Sequence, residues 1–388
     1  MLKRNPTVNC TGCGACANAC PVKCITLVQN AEGFLCPVID EEKCIHCDRC
    51  VGVCPSLHKP AEAPRVTEAY AVVNNDAVQH RSSSSGGVFV LLAEAILARG
   101  GVVFGAAFAE DFKGVAHIAV STKAELYKLQ QSKYLQSRIG DTYTEAKRLL
   151  DAGTPVLFTG TPCQIAGLFG YLGKEYDNLY TQDIVCHGVP SPEIWRQYLE
   201  SLEKKKGARA TSVEFRNKRY GWQAYRVRIA FENGKTYTRH HGEDLYMRGF
   251  LADLYLRSSC YRCECKGASR PADITLADFW GVAAAYPALY NAYGTSLVLA
   301  HSEKGRALLG ELESVKSDLV DLDIALRYNS AALAAVKENP KRALFWESLR
   351  ERELMAVLKS MFPDTLVKKG KRIVKKMIFE YKRLFKKL

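Results

Sequence analysis

One cysteine spacing, written twice near the N-terminus, constrains this chain more than any other feature. Cys10, Cys13, Cys16 and Cys20, followed by Pro21, read C-x2-C-x2-C-x3-C-P, and Cys44, Cys47, Cys50 and Cys54, followed by Pro55, repeat the pattern 34 residues later. Each two-residue gap lets a looping backbone aim successive thiolates at three corners of one iron-sulfur cubane, while the fourth cysteine reaches the other cubane. The spacing therefore predicts two [4Fe-4S] clusters, one held by Cys10, Cys13, Cys16 and Cys54, the other by Cys20, Cys44, Cys47 and Cys50. Gly12 and Gly14 suit a chain that wraps an inorganic core, because such a chain needs unusual dihedrals and exposes amide donors to sulfur. Zinc would take four ligands in two pairs, which is not the pattern here. Cys24 and Cys36 fall outside both motifs and read as small buried hydrophobes.

Fifteen cysteines in 388 residues could form a disulfide framework in a secreted protein, but ten of them crowd into the first 54 residues at short regular spacings, which points to metal. The segment Met1 to Asn9 has no apolar run behind its two basic residues, so no secretory signal is expected and the cytoplasm is the default location. The most apolar stretch, Val88 to Ala109, is interrupted by Glu94, Arg99 and Gly100-Gly101, and reads as a helix followed by a strand rather than a membrane span. The formal charge of +13 suggests nucleic acid until it is localised. Leu366 to Leu388 alone holds ten Lys and Arg against one acid, Glu380, leaving only +4 on the rest, so no basic surface suited to a phosphate backbone is indicated.

These signals divide the chain into an α+β ferredoxin-like dicluster domain (1–58), a linker with Pro60 and Pro64 (59–67), an α/β body in two parts (68–150 and 151–325) and a mostly helical basic tail (326–388). Within the body, Ala69 to Val73, Val102 to Phe108, Ala116 to Val120 and Pro155 to Phe158 read as strands and Thr142 to Leu150 as a helix. Shorter strands follow at Ser212 to Arg216, Tyr225 to Phe231 and Lys235 to Thr238, with Asn233-Gly234 marking a hairpin. The run Ser82-Ser83-Ser84-Ser85-Gly86-Gly87 opens an apolar helix through Ala98. Such a start either caps the helix or cradles an anionic group such as a flavin or nucleotide phosphate.

Five further cysteines lie in the body: Cys163, Cys186, Cys260, Cys263 and Cys265. Cys163 and Cys186 each follow an apolar strand, and in an α/β sheet ligands gather at strand ends, so these two could face one crevice closed by the Cys260-x2-Cys263 pair. Four thiolates there would hold a third [4Fe-4S] cluster. The alternative makes Cys163 and Cys186 ordinary core residues and the Cys260 pair a redox dithiol or half a zinc site. Cys265 would point elsewhere. His187 reads as a ligand or proton donor, or as a structural histidine at a strand end, and Asp273 and Asp278 as groups that orient a ligand or merely cap a strand.

Together the stretches Ser84-Ser85-Gly86-Gly87-Val88, Gln131 to Ser137, Gly160-Thr161-Pro162-Cys163-Gln164, Cys186 to Pro192, Phe215 to Lys218, Tyr220-Gly221-Trp222, Cys260-Tyr261-Arg262-Cys263 and Pro271 to Gly281 resemble the coenzyme F420 hydrogenase/dehydrogenase beta subunit family, in its bacterial form with a fused dicluster ferredoxin. The resemblance runs from Cys10 to about Ala300. It implies a flavin-binding catalytic body in which FAD exchanges electrons with a [4Fe-4S] cluster held by Cys163, Cys186, Cys260 and Cys263. It also implies flavin contacts from Ser84, Ser85, Gly86, Gly87 and Lys133. The cysteine at 265 departs from an apolar position in the family. The substrate implied is an organic molecule, either deazaflavin coenzyme F420 or another, for instance in cell-surface polysaccharide biosynthesis.

The expectation is thus an iron-sulfur flavoprotein oxidoreductase with a ferredoxin or other redox protein as partner and an organic small-molecule substrate. The competing class is a non-catalytic electron-transfer subunit linking ferredoxin to a separate enzyme; a redox sensor fits a body this large least well. From Ile373 the residues Val374, Met377, Ile378, Tyr381, Leu384, Phe385 and Leu388 recur at helical spacing between lysines and arginines. That amphipathic helix either docks on the inner face of the membrane or an acidic partner, or packs on its own domain.

Overall fold

The computed structural model describes residues 9–58, 67–268 and 270–363. The expected linker, Thr67 apart, and the amphipathic basic segment from Ile373 lie outside the described residues. In the N-terminal module a short helix, Ala15–Ala19, follows Gly14, whose φ of 75° is one that an L side chain resists. Strands β1 (Ile25–Gln29) and β2 (Leu35–Ile39) pair antiparallel, and the helical turn Arg49–Gly52 carries the end of the second cysteine motif. The hairpin is closed by the Asn30 side chain, whose Oδ1 accepts from Glu32 N at 3.0 Å and Phe34 N at 2.9 Å.

The body contributes β3 (Glu68–Asn74), β4 (Val102–Phe108), β5 (Val115–Val120), β6 (Val156–Thr159), β7 (Leu179–Ile184), β8 (Ala210–Asn217), β9 (Arg226–Phe231), β10 (Thr236–His240), β11 (Ile274–Asp278), β12 (Ser296–Ala300) and β13 (Val315–Val320). Eight of them form one sheet in the order β13-β3-β12-β11-β7-β6-β4-β5. The α/β reading holds for its centre, where β11, β7, β6 and β4 run parallel. Strands β12, β13 and β5 are antiparallel to their neighbours, so the sheet is mixed. Working through these pairings, β3, β4, β6, β7 and β11 all end on the same edge, the edge at which ligands collect in open α/β sheets.

Strands β8, β9 and β10 make a separate antiparallel sheet whose β9–β10 turn is the expected Asn233-Gly234, with Gly234 at φ 74°. Its apolar face packs on the helix Pro192–Lys206 through Trp195, Tyr198, Phe215 and Tyr246, all essentially inaccessible to water. The helix after the serine-glycine run spans Val88–Ala98 as expected, but a second one, Ala77–Ser82, capped by Asp76, precedes the run. Its six residues are too few for an apolar period to show. Helices Leu322–Arg327, Arg342–Glu351 and Leu354–Met361 give the C-terminal part a helical character as far as residue 363. Among the described residues no helix is long and apolar enough to cross a membrane.

The N-terminal module is built into the body's core. Cys13 and Ala15 share one hydrophobic cluster with Phe104, Tyr143, Phe158 and Leu168, each such large buried side chain adding about 1.5–3 kcal/mol. The helix Pro162–Leu172 meets the module through two glycines: a Cβ on Gly167 would lie 2.9 Å from Cys13 Sγ, and one on Gly170 would lie 2.5 Å from the Val53 carbonyl. Polar contacts complete the seam. Asn18 Nδ2 donates to Gly140 O at 2.8 Å, Gln136 Nε2 to Thr11 O at 2.8 Å, and Ser191 Oγ to the Glu32 carbonyl at 2.5 Å, while Arg342 pairs with Glu32. Replacing Gly170 by Val drives a branched side chain into the Val53 backbone. The expected loss is about 1–3 kcal/mol in chemical denaturation, whereas an unchanged midpoint would mean that the helix does not carry the module.

Candidate metal centre

The two N-terminal motifs fold so that their cysteines interleave. Cys16 feels the charges of Cys10, Cys54 and Cys50, and Cys13 those of Cys16, so the first three cysteines of one motif meet the last cysteine of the other. Cys20, Cys44, Cys47 and Cys50 line a second, open pocket of about 490 Å³, together with Cys24. Burial pushes the Cys16 thiol up to about 12 and raises those of Cys13, Cys50 and Cys54. Cys10 moves the other way, to about 6, chiefly because the Cys36 thiol donates to its sulfur. Cys24 is buried as expected of a small hydrophobe, but Cys36 is only part-buried.

The body's cysteines come together from three places. Cys186 follows β7, and Cys163 opens the helix after the neighbouring parallel strand β6, so both stand at adjacent strand ends. A reciprocal cap fixes Cys163: Thr161 N donates to Gln164 Oε1 at 2.9 Å, and Pro162 needs no donor in the first turn. Cys260 sits on the tight turn Ser258–Arg262, held over the strand ends by an antiparallel bridge between Pro190 and Leu256 and by Arg257 N donating to Val189 O at 3.0 Å. Val189 N in turn points at Cys260 Sγ, 3.4 Å away. Gly188 is needed here because a Cβ would lie 2.8 Å from Leu256 Cδ1.

Cys163, Cys186, Cys260 and Cys263 all line one pocket of about 430 Å³, with Thr11 of the N-terminal module and His187 and Lys266 of the body. Burial raises the first two thiols and pushes Cys260 up to about 12, whereas a hydrogen bond from Cys265 draws Cys263 down to about 6. Cys265 thus turns toward the group rather than away from it. The raised thiols of Cys163, Cys186 and Cys260 resist becoming thiolates unless a cation offsets their desolvation, which a bound metal would do. Among the described residues no three donors converge on a point as they would around a single ion. Thiols spread around an open volume suit a multi-iron core. The pocket also adjoins the other centre, since Thr11, between Cys10 and Cys13, lines it and Cys163 is close enough to help raise the Cys13 thiol.

The segments expected to hold a flavin are adjacent. Ser84 Oγ accepts from Ser132 N at 2.8 Å, one residue before Lys133, and Gly86 O accepts from Asn74 N at 2.8 Å, which puts the loop at the end of β3 on the cysteine edge of the sheet. Ser85 Oγ donates to Thr295 O and Gly86 N to Ser296 Oγ, so this loop is tied to β12. Lys133 Nζ donates to Lys128 O at 3.0 Å and Gln130 O at 2.6 Å, and burial draws its ammonium down to about 7. A more deeply buried lysine lies nearer: Lys218 Nζ donates to His80 O, Ser85 O and Tyr293 O at 2.6–2.8 Å and is likewise drawn down to about 7 by burial.

Three partners escaped sequence reasoning. Arg257 is buried and donates to Cys10 O at 2.6 Å, Gln136 Oε1 at 2.9 Å and Leu35 O at 2.9 Å, bridging module and body three residues before Cys260. Lys218 stands in a noted stretch without any signal that its ammonium would be buried. Asp253 accepts from or pairs with His187 Nε2 at 2.6 Å, which fixes that ring at the pocket rim. Of the two aspartates singled out, Asp273 accepts from Thr181 N and Oγ1 at 2.8 Å, pinning β11 to β7. Asp278 pairs with the buried Arg216 at 2.6 Å and accepts from Trp222 Nε1 at 2.9 Å.

Residues 153–321 match the model for the C terminus of the coenzyme F420 hydrogenase/dehydrogenase beta subunit, and residues 9–57 that for a 4Fe-4S dicluster domain. No curated protein matches. Among solved structures, a chain of the xenon-derivatised F420-reducing [NiFe] hydrogenase complex from Methanosarcina barkeri aligns with a TM-score of 0.46 at 14% identity, over 70% of this chain and 93% of that one. On these two matches the chain joins an N-terminal 4Fe-4S dicluster domain to a segment that belongs with the C terminus of the coenzyme F420 hydrogenase/dehydrogenase beta subunit.

Proposed function

We propose that this protein is a flavin-dependent oxidoreductase wired by three [4Fe-4S] clusters. Two belong to the dicluster domain, on Cys10, Cys13, Cys16 and Cys54 and on Cys20, Cys44, Cys47 and Cys50, and a third to Cys163, Cys186, Cys260 and Cys263. The observation that carries the reading is the convergence of four body thiols, from three separate parts of the fold, on one pocket that also touches Thr11 of the module. Bound flavin exchanges two electrons with an organic molecule and single electrons with clusters, which is the chemistry such a pairing supplies.

The protein's own residues set the stage for that exchange. Arg257 locks the module so that Cys13 and Cys163 are neighbours. The helix Val88–Ala98 has no side-chain cap, so its first amides can face an anionic group beside Ser84, Ser85, Gly86 and Gly87. Lys218, which is buried, and Lys133, which is half-buried, are both drawn down to about 7 by desolvation and would bind or orient rather than carry fixed charge. The substrate is an organic two-electron donor or acceptor, coenzyme F420 being one member of that class.

Anaerobically purified protein is expected to carry about twelve iron atoms and about one FAD per chain, from three clusters of four irons. About eight irons without flavin would instead indicate an electron-transfer subunit with no chemistry of its own. Cys186→Ser is expected to remove about one third of the iron while leaving the dithionite-reduced EPR signals of the dicluster domain; full iron in that variant would refute the third site.

A further inference from the structure

Beside the third centre stands a cation that belongs to no ligand set, and the inference here rests on the reading that Cys163, Cys186, Cys260 and Cys263 hold a cluster. Lys266 follows Cys263 in the chain and lines the same pocket as those four thiols. Its Nζ donates to the Cys186 carbonyl and, at 2.7 Å, to the Ala331 carbonyl. One of these bonds ties the ammonium to the backbone of a proposed ligand. Among the described residues no carboxylate pairs with it, and the two carbonyls leave one of its N–H donors over.

Two other cations lie close and differ from it. Arg270 is buried, and Asp183 pairs with it at 3.3 Å, so its charge is matched on the spot. Arg257 donates to Cys10 O and Leu35 O of the module, which places it between two centres. Lys266 stands at the Cys186 end of the pocket, so its field falls mainly on the third centre.

Reduction by one electron adds a negative charge to a cubane that four thiolates already leave anionic. No bond breaks and no proton is required. The burial that raises the Cys186 and Cys260 thiols opposes that added charge as well. An unmatched cation at the pocket wall favours it, because charge and hydrogen bonds near the sulfurs set the potential of a cluster. We propose that Lys266 sets the potential of the third centre, raising its affinity for an electron so that the dicluster domain can deliver one to the body. It acts through space and through the Cys186 backbone, without ligating iron.

The test is an anaerobic redox titration of the full-length protein followed by EPR, with iron measured alongside. The signal missing from Cys186→Ser marks the third centre. Lys266→Gln removes the charge but keeps a donor for the two carbonyls. It is expected to hold full iron while the third centre alone shifts to lower potential, by about a tenfold loss of electron affinity, or about 59 mV for a one-electron couple. Lys266→Arg, which keeps the charge, is expected to stay near the parent value. Lys266→Met removes charge and donor together, is expected to lower the potential at least as far, and serves if the glutamine variant does not fold. Full iron with an unmoved potential in the neutral variants refutes the role. Loss of the third cluster's iron in them overturns it too, since Lys266 would then build the site instead of tuning it. If the parent protein itself carries only about eight irons, the third centre fails and not the part given to Lys266.

Discussion

The arrangement of this molecule depends on one buried guanidinium. Arg257 sits in the seam between the dicluster domain and the body, only 2% exposed, and gives hydrogen bonds to two module carbonyls and one body amide. Burying a cation is costly unless its donors are matched, and bonds to a charged group return about 1.5–3 kcal/mol each. Gly12 lets the module approach so closely, because a Cβ there would lie 2.6 Å from Arg257 Nη1. The result is a fixed relation between two sets of thiols that no flexible tether could hold. It makes the N-terminal domain part of one packed unit with the body rather than an appendage.

The body contributes a second constraint, the common direction of five strands. Because β3, β11, β7, β6 and β4 end on one edge, the serine-glycine loop, Asp278, Cys186 and Cys163 are gathered there from distant parts of the chain. That edge is also where the Cys260 turn folds over, anchored by its bridge to Pro190. Position in the sheet, more than any local motif, makes these residues neighbours.

The N-terminal dicluster domain was legible because eight cysteines lie in two short segments whose spacing encodes the chemistry. Strands such as Val102–Phe108 and the Asn233-Gly234 hairpin were legible for similar local reasons. Cys163, Cys186 and Cys260 were visible as candidates, but whether they met depended on pairings across a hundred residues, which spacing alone leaves open. Arg257 and Lys218 were invisible: each is an ordinary basic residue in sequence, and only the carbonyls that surround it distinguish it. The mixed character of the sheet was hidden for a related reason, since strand direction follows from the path of the intervening chain.

Strand β3 bears a consequence for biosynthesis. Formed by residues 68–74, it is clasped between β12 and β13, whose partners in the ladder arrive more than two hundred residues later. A ribosome delivering this polypeptide releases the dicluster segment and β3 long before either flanking strand exists. The early segment must therefore wait with open ladder edges until translation nears its end, a situation that slows folding and invites aggregation or chaperone capture. Maturation of this protein is consequently a late event, closed by its C-terminal third.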